Sequence, residues 1–273
     1  MDPLLTVFSN FYIDSDERFL RCLDSFKSMH ELSVLKYIIN VRGQYAVKTI
    51  EHLKMLNPNI EATTINSRRG WFIDSQKLLD KIQTKYVLLW LEDHICIDPK
   101  SVNGVVRRMD CVDADILTYS FWCNGHMRER YKEVSQNNLD LISWFDHDIS
   151  ANEVIQQSKW KSYIVSCTSI IKSDLFAKII KDGGSEKRWP RETPFDFEKE
   201  PFDINWLPIR RAVPKSELFA SIDDDLSCPG SCLQKRGLYP VREGRSSYAR
   251  QGFLQKIRAF KKKLHAGFFK KFQ

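Results

Sequence analysis

The chain is poor in the glycine patterns that cradle phosphate. Only 11 of its 273 residues are glycine, and the first apolar run, Val7-Phe8-Ser9-Asn10-Phe11, has no Gly-x-Gly-x-x-Gly turn after it. That argues against a dinucleotide-binding dehydrogenase, whose glycines let the backbone approach a pyrophosphate. No Gly-x-x-x-x-Gly-Lys-Ser/Thr loop occurs, which argues against a P-loop NTPase, and no Gly-x-Ser-x-Gly elbow marks an α/β-hydrolase. No run nears the ~20 apolar residues that span a bilayer. Met1-Asp2-Pro3 lacks the basic start of a signal peptide. The 7 cysteines are odd in number and follow no framework spacing. Cys228 and Cys232 are separated by Pro-Gly-Ser with no second pair to close a zinc site, so reduced cysteines are expected. Neither an internal repeat nor a low-complexity segment is visible.

What is present starts with charge, and its placement matters more than its sum. The net charge is +7, but Arg250, Lys256, Arg258, Lys261, Lys262, Lys263, Lys270 and Lys271 supply eight positive charges with no acid among them. The rest of the chain is therefore close to neutral. A nucleic-acid-binding domain would want a basic face on the fold itself, so no nucleic-acid partner is expected. Within the basic tail, Phe253, Ile257, Phe260, Leu264 and Phe268 recur at helical spacing. A basic amphipathic helix with aromatic anchors suits a membrane surface. A helix docked on the body and a nucleic-acid tail are the alternatives.

Ahead of the tail, apolar runs alternate with helical patterns. Leu4 to Ile13 reads as a strand, and Asp16 to Met29 as a helix with Phe19, Leu20, Leu23 and Phe26 on one face, capped by Asp14 or Ser15. Val34 to Val41 is a second strand, and Tyr45 to Leu56 a helix stopped by Asn57-Pro58-Asn59. Glu61 to Asn66 is a short strand, Gly70 to Gln83 a helix, Tyr86 to Leu91 a strand. Pro99 opens a helix at its first position, and Ala114 to Trp122 is a fifth strand. This rhythm predicts an α/β domain with a mostly parallel sheet flanked by helices. Beyond it, 124–148 looks polar and aperiodic, Tyr163 to Ile171 reads as a strand leading into a helix over Ser173 to Lys181, and 186–208 and 221–245 look irregular. The expected organisation is a nucleotide-binding half over 1–122, an acceptor and catalytic half of the same domain over 123–249, and the amphipathic tail over 250–273.

The most telling stretch is Tyr86-Val87-Leu88-Leu89-Trp90-Leu91-Glu92-Asp93-His94, an unbroken apolar run that ends in two acids and an imidazole. Such a run reads as a buried central strand. In open α/β sheets ligands bind outside the carboxyl ends of the strands. Acids there can hold a divalent cation that bridges to phosphate oxygens. A strand that ends in a solvated turn is the plainer alternative.

On these residues the chain resembles the GT-A type glycosyltransferases, chiefly the inverting family-two-like group. The resemblance runs from Leu4 to Trp122 in pattern, and more weakly through Tyr163 to Glu200. In that family a strand ends in Asp-x-Asp, which binds a metal ion and the sugar-nucleotide diphosphate; Glu92-Asp93-His94 stands in its place. A related branch, the polypeptide N-acetylgalactosaminyl transferases, uses Asp-x-His with the imidazole as ligand. The resemblance thus implies Asp93 and His94 as ligands of Mn2+ or Mg2+. Imidazole suits manganese better than magnesium.

The same likeness assigns Ser9, Asn10, Phe11, Asn40, Arg69, Glu92 and Asp93 to the nucleotide-sugar donor. Asn40-Val41-Arg42 departs from the family, which usually ends that strand in an Asp that binds the base. Asn66-Ser67-Arg68-Arg69-Gly70 offers arginines for diphosphate. Ser166-Cys167-Thr168-Ser169 resembles the small-residue lining of a donor-sugar pocket. An inverting transferase needs a general base, and the acidic segment at 194–200 offers Glu198 first, then Asp196 or Glu200. Asp223-Asp224-Asp225 completes the metal site, orders a lid over it, or is a plain surface turn. Most of Tyr119, Trp122, Trp144, Trp160, Trp189 and Trp206 are expected in the core, with some free to stack on an acceptor sugar.

The implied activity is transfer from a UDP-sugar to a glycan or lipid-linked acceptor, in bacterial capsule or lipopolysaccharide synthesis. The implied location is cytoplasmic, peripheral to the inner membrane face. A nucleotidyltransferase and a non-enzymatic membrane-surface adaptor are the competing readings.

Overall fold

Alternating apolar residues at the start of the chain build the centre of the sheet. In the computed structural model, β1 (Leu5–Tyr12) is buried at every position but its last. The residues described are 4–67, 69–117, 125–157, 168–182, 206–223 and 232–240. The chain divides into one unit over Met1–Leu238 and a second over Tyr239–Gln273. The expected tail helix falls in the second unit, outside the described residues.

The elements follow in order as β1, α1 (Asp16–Lys27), β2 (Lys36–Arg42), α2 (Ala46–Leu56), β3 (Ile60–Thr63), α3 (Trp71–Gln76), β4 (Tyr86–Leu89), β5 (His94–Cys96) and α4 (Pro99–Cys111). Then come β6 (Ile116–Leu117), α5 (Gly125–Val134), β7 (Asn137–Asn138), β8 (Ile142–His147), α6 (Ile149–Gln156), β9 (Ser169–Lys172), α7 (Ser173–Asp182), β10 (Ile209–Pro214) and β11 (Phe219–Ser221). Nine strands form one sheet in the order β3-β2-β1-β4-β9-β6-β10-β8-β7, and β11 and β5 form a separate pair. β1 lies parallel to both β2 and β4, in register Asn10↔Asn40 and Phe8↔Leu89. β9 enters antiparallel between β4 and β6.

Period-two alternation sends side chains to two cores. On one face Leu5, Val7, Phe11, Tyr86, Leu88 and Trp90 meet Phe19, Cys22 and Phe26 of α1, Leu53 of α2, and Val102, Val105 and Met109 of α4. On the other, Phe8, Val87, Leu89 and Leu91 meet Trp71 and Phe72 of α3 and Phe176, Ile179 and Ile180 of α7. Helices on both faces explain why β4 reads as an unbroken apolar run. The helix starts are chemically marked. The Ser15 side chain accepts from Arg18 N, and Asp98 accepts from Ser101 N ahead of Pro99.

Several elements differ from the sequence pattern. The helix expected over Gly70 to Gln83 ends at Gln76 and tightens into a 3₁₀ turn at Leu79–Lys81. There Gln76 Nε2 is tied to the Ile180 carbonyl at 2.9 Å, and tertiary anchoring overrides propensity. Leu20, placed on the apolar face of α1 from the pattern, is exposed, while Arg21 is buried. Within the stretch 124–148, the described residues, 125–148, are ordered structure rather than aperiodic chain. It holds α5, β7 and β8, with Tyr131, Phe145 and Ile155 forming a small third core. Trp206 packs in the second core, and Trp144 lies under the Arg210 guanidinium at 4.5 Å. Tyr119, Trp122, Trp160 and Trp189 lie outside the described residues.

Candidate active site

The chain runs from β1 outward through β2 to β3, then returns to β4 on the other side of β1. Strand order therefore reverses between β1 and β4, where an open α/β sheet forms its ligand crevice. Glu92, Asp93 and His94 leave β4 at the carboxyl end of that crevice.

The acid motif is held from two sides. The Trp90 indole, fully buried, donates to Ser25 Oγ at 2.7 Å, and Cys96 N donates to Ser28 Oγ at 2.8 Å. Both serines belong to the α1 side. Opposite, β11 pairs with β5 in register Ser221↔His94, and Ile222 N donates to the Asp93 carbonyl at 2.7 Å. Arg21, Ser25 and Ser28 sit at helical spacing, a polar stripe facing the motif where an all-apolar face would have been simpler.

Within the motif, His94 Nδ1 lies 2.8 Å from Asp93 Oδ1. Burial pushes the Asp93 carboxyl up, but the hydrogen bond and charge of His94, with Arg21 beyond, leave it below the ordinary aspartate value. Glu92 goes the other way, to about 7, because of burial first and the neighbouring Asp93 charge second. Two adjacent carboxyls thus sit on opposite sides of their usual range, a pattern that clusters at functional sites.

Asp223 is no surface turn. Its carboxylate is buried and accepts from Arg21 Nη1 at 3.1 Å, while Arg21 Nη2 lies 2.8 Å from Glu17 Oε1. Asp224 and Asp225 lie outside the described residues. Among the described residues no three of His, Cys, Asp and Glu gather to hold a metal ion. Asp93 and His94 are two donors of such a group, not three.

The donor-binding candidates of the first two strands form one buried network. Asn40 Nδ2 donates to Asn10 Oδ1 at 3.0 Å and to the Ile65 carbonyl at 2.9 Å, while Asn40 Oδ1 accepts from Thr63 Oγ1 and Ile65 N. Asn10 Nδ2 donates to Ser75 Oγ and the Trp71 carbonyl, and the Trp71 indole returns a bond to the Asn10 carbonyl at 2.7 Å. Asp74, also buried, accepts from Ser67 N and Oγ. The hydrogen-bonding capacity of Asn40 is taken up inside the protein. What it does is fix the loop from Ile65 to Gly70, which presents Arg69 at the surface.

Ser9 and Phe11 are buried on the α1 face of β1. Ser9 Oγ and Thr168 Oγ1 are buried with no hydrogen-bond partner among the described residues, and Thr168 holds a left-handed φ of 53°. A β-branched residue there is strained. Thr168 precedes β9, whose first residue, Ser169, pairs with Leu89 at the end of β4. Glu198, Asp196 and Glu200, together with Arg68, Ser166 and Cys167, lie outside the described residues. Sequence reasoning missed Arg21, Ser25 and Ser28; the signal was their polar stripe on α1.

No family model matches the sequence, and no curated protein does. Solved structures do share the fold. A mannosyltransferase from Pyrobaculum calidifontis, solved with GDP-Man and Mn2+, superposes with a TM-score of 0.50 at 12% identity, over 82% of this chain and 59% of that one. The 1–349 fragment of S. aureus TarS gives a TM-score of 0.50 at 13% identity, over 81% of this chain and 60% of that one. The chain thus spans about three fifths of the length of these structures. The chain has the fold of the GT-A type, nucleotide-diphospho-sugar glycosyltransferases.

Proposed function

We propose that this protein transfers a sugar from a nucleotide-diphospho-sugar, a UDP-sugar foremost, to a glycan or lipid-linked acceptor, with inversion at the anomeric carbon. The observation that carries the reading is the acid motif Glu92-Asp93-His94 at the strand-order reversal of a GT-A fold, held by α1 on one side and β11 on the other. The P. calidifontis structure holds GDP-Man and Mn2+.

The roles are assigned from charge, from place along the chain and from the family resemblance. The diphosphate pairs with Arg69 on the loop fixed by Asn40 and Asp74. Glu92, near 7, keeps its proton part of the time at neutral pH. In that state it donates a hydrogen bond to a ribose or sugar hydroxyl, where two bare carboxylates would repel a phosphate oxygen. Asp93, ionised and oriented by His94, accepts from a donor hydroxyl. Glu198, or else Asp196 or Glu200, takes the proton from the acceptor hydroxyl as it attacks the anomeric carbon and the nucleoside diphosphate leaves.

The spaced apolar residues of the basic tail support a place at the inner face of a membrane, with a lipid-linked acceptor of capsule or lipopolysaccharide synthesis. Among the described residues no helix is long and apolar enough to cross a membrane. The test is release of nucleoside diphosphate from a panel of UDP- and GDP-sugars with manganese supplied. Release from one donor, lost in Asp93→Ala, supports the proposal. No release from any donor, together with no donor binding, refutes it.

A further inference from the structure

Arg21 belongs to no part of the reaction proposed above, yet it sits where two acidic segments meet. Its side chain lies on the first turns of α1 and is 3% exposed. One end of the guanidinium meets Asp223 at 3.1 Å and the other meets Glu17 at 2.8 Å. Desolvating a guanidinium is costly, so a buried one is kept only where its bonds offset that cost. A helix that needed only to cover the sheet would carry an apolar residue here, as it does at Cys22 and Phe26.

The segment that Arg21 grips is the far wall of the acid motif. Its backbone is bonded to a second segment as well, Leu233 N donating to the Ser221 carbonyl and Gln234 N to the Ile222 carbonyl, and Phe219 and Ile222 are buried. β11 and β5 pair at three positions, and Ile222 N donates to the Asp93 carbonyl. Asp223 opens a run of three acids with Asp224 and Asp225. Without a cation, the buried Asp223, next in the chain to the Ile222 that bonds the Asp93 carbonyl, would add a like charge at the motif and drive the segment outward. The guanidinium neutralises the first acid of the run and draws the segment onto α1, which also carries the Ser25 support of the motif.

We infer that Arg21 is a positioning residue: through Asp223 it latches the 219–223 segment against the acid motif and so sets the width of the donor crevice. It touches no substrate. The inference rests on the donor-binding reading for its consequence, while the latch itself is a property of the fold.

The test uses the full chain in four forms: wild type, Arg21→Met, Arg21→Lys, and Arg21→Met combined with Asp223→Leu. Arg21→Met takes the guanidinium away from the buried Asp223 carboxylate and lowers the melting temperature; removing that carboxylate in the double variant restores it. Amide exchange at Ile222 reads the latch directly. It is expected to speed up by about tenfold in Arg21→Met and to stay fast in the double variant after stability has recovered. The donor KM is expected to rise by about tenfold in both, with a smaller fall in kcat, because binding geometry rather than a reacting group is lost. Arg21→Lys falls between, since a single ammonium cannot bridge two carboxylates as a fork does. Ile222 protection that is unchanged in Arg21→Met, or that recovers together with the melting temperature, overturns the latch. A wild-type protein that binds no donor, while Ile222 behaves as expected, refutes the donor reading and leaves the latch standing.

Discussion

Replacing Asn40 by Asp tests whether the buried network behind the Arg69 loop depends on both amide hydrogens that Asn40 donates. The change keeps shape and volume. It also keeps the acceptor that serves Thr63 Oγ1 at 2.9 Å and Ile65 N at 2.7 Å. It removes the two donations to Asn10 Oδ1 and the Ile65 carbonyl, and sets a carboxylate oxygen against both acceptors. Each buried group left without its bond costs about 1–3 kcal/mol, so the variant loses ~2–6 kcal/mol at pH 8. At that site nothing favours the charged form on the Asn10 side, and the folded-state pKa of the new carboxyl rises above the ~3.9 of an unfolded aspartate. The folded protein then binds a proton more readily than the unfolded chain. Stability relative to wild type is highest below the unfolded value and falls as pH rises through the folded one. Urea denaturation of both proteins at pH 5 and pH 8 reads this directly. The deficit should be larger at pH 8, by ~1.4 kcal/mol for each unit by which the folded-state pKa exceeds 5. Equal deficits at both pH values, or no deficit at pH 8, would refute the network as described.

Other perturbations separate site from scaffold. Glu92 is raised from 4.5 to about 7, so wild-type stability should fall as pH rises across that window. Glu92→Gln should remove that fall, matching wild type near pH 4 and exceeding it at pH 8 in thermal melts. Gly43 has a φ of +96°, and an added Cβ would run into the Ile13 carbonyl, so Gly43→Ala should cost ~2 kcal/mol or more by denaturant titration. Arg108 pairs with Asp140 in the open, with side chains 42% and 57% exposed, so Arg108→Ala should cost under ~1 kcal/mol in the same titration.

The parts of the fold legible in the sequence were those where one local rule decides. β4 announced itself because helices cover both its faces, and Ser15 and Pro99 marked the starts of α1 and α4. The antiparallel entry of β9 was not legible, because strand direction depends on where the chain returns and leaves no periodicity behind. The stretch 124–148 misled because its core is small: a few residues such as Tyr131, Phe145 and Ile155 bury a helix and a strand whose other residues are polar. At the site, the acid motif stood out because charge ended an apolar run. Arg21 did not, since a charged residue four positions from Glu17 looks like an ordinary surface helix pair. Asn40 was legible as a departure from the expected aspartate, but its role in holding Ile65 depends on a loop 25 residues away in the chain.

Calorimetric titration of UDP- and GDP-sugars into the wild-type chain and into Asp93→Ala, with manganese in the buffer, tests the donor site most directly. The placement of Asp93 at the strand-order reversal predicts saturable binding of one nucleotide-sugar to wild type and a loss of at least about tenfold in affinity, ~1.4 kcal/mol, in the variant. Equal binding by both proteins, or binding by neither, would contradict it.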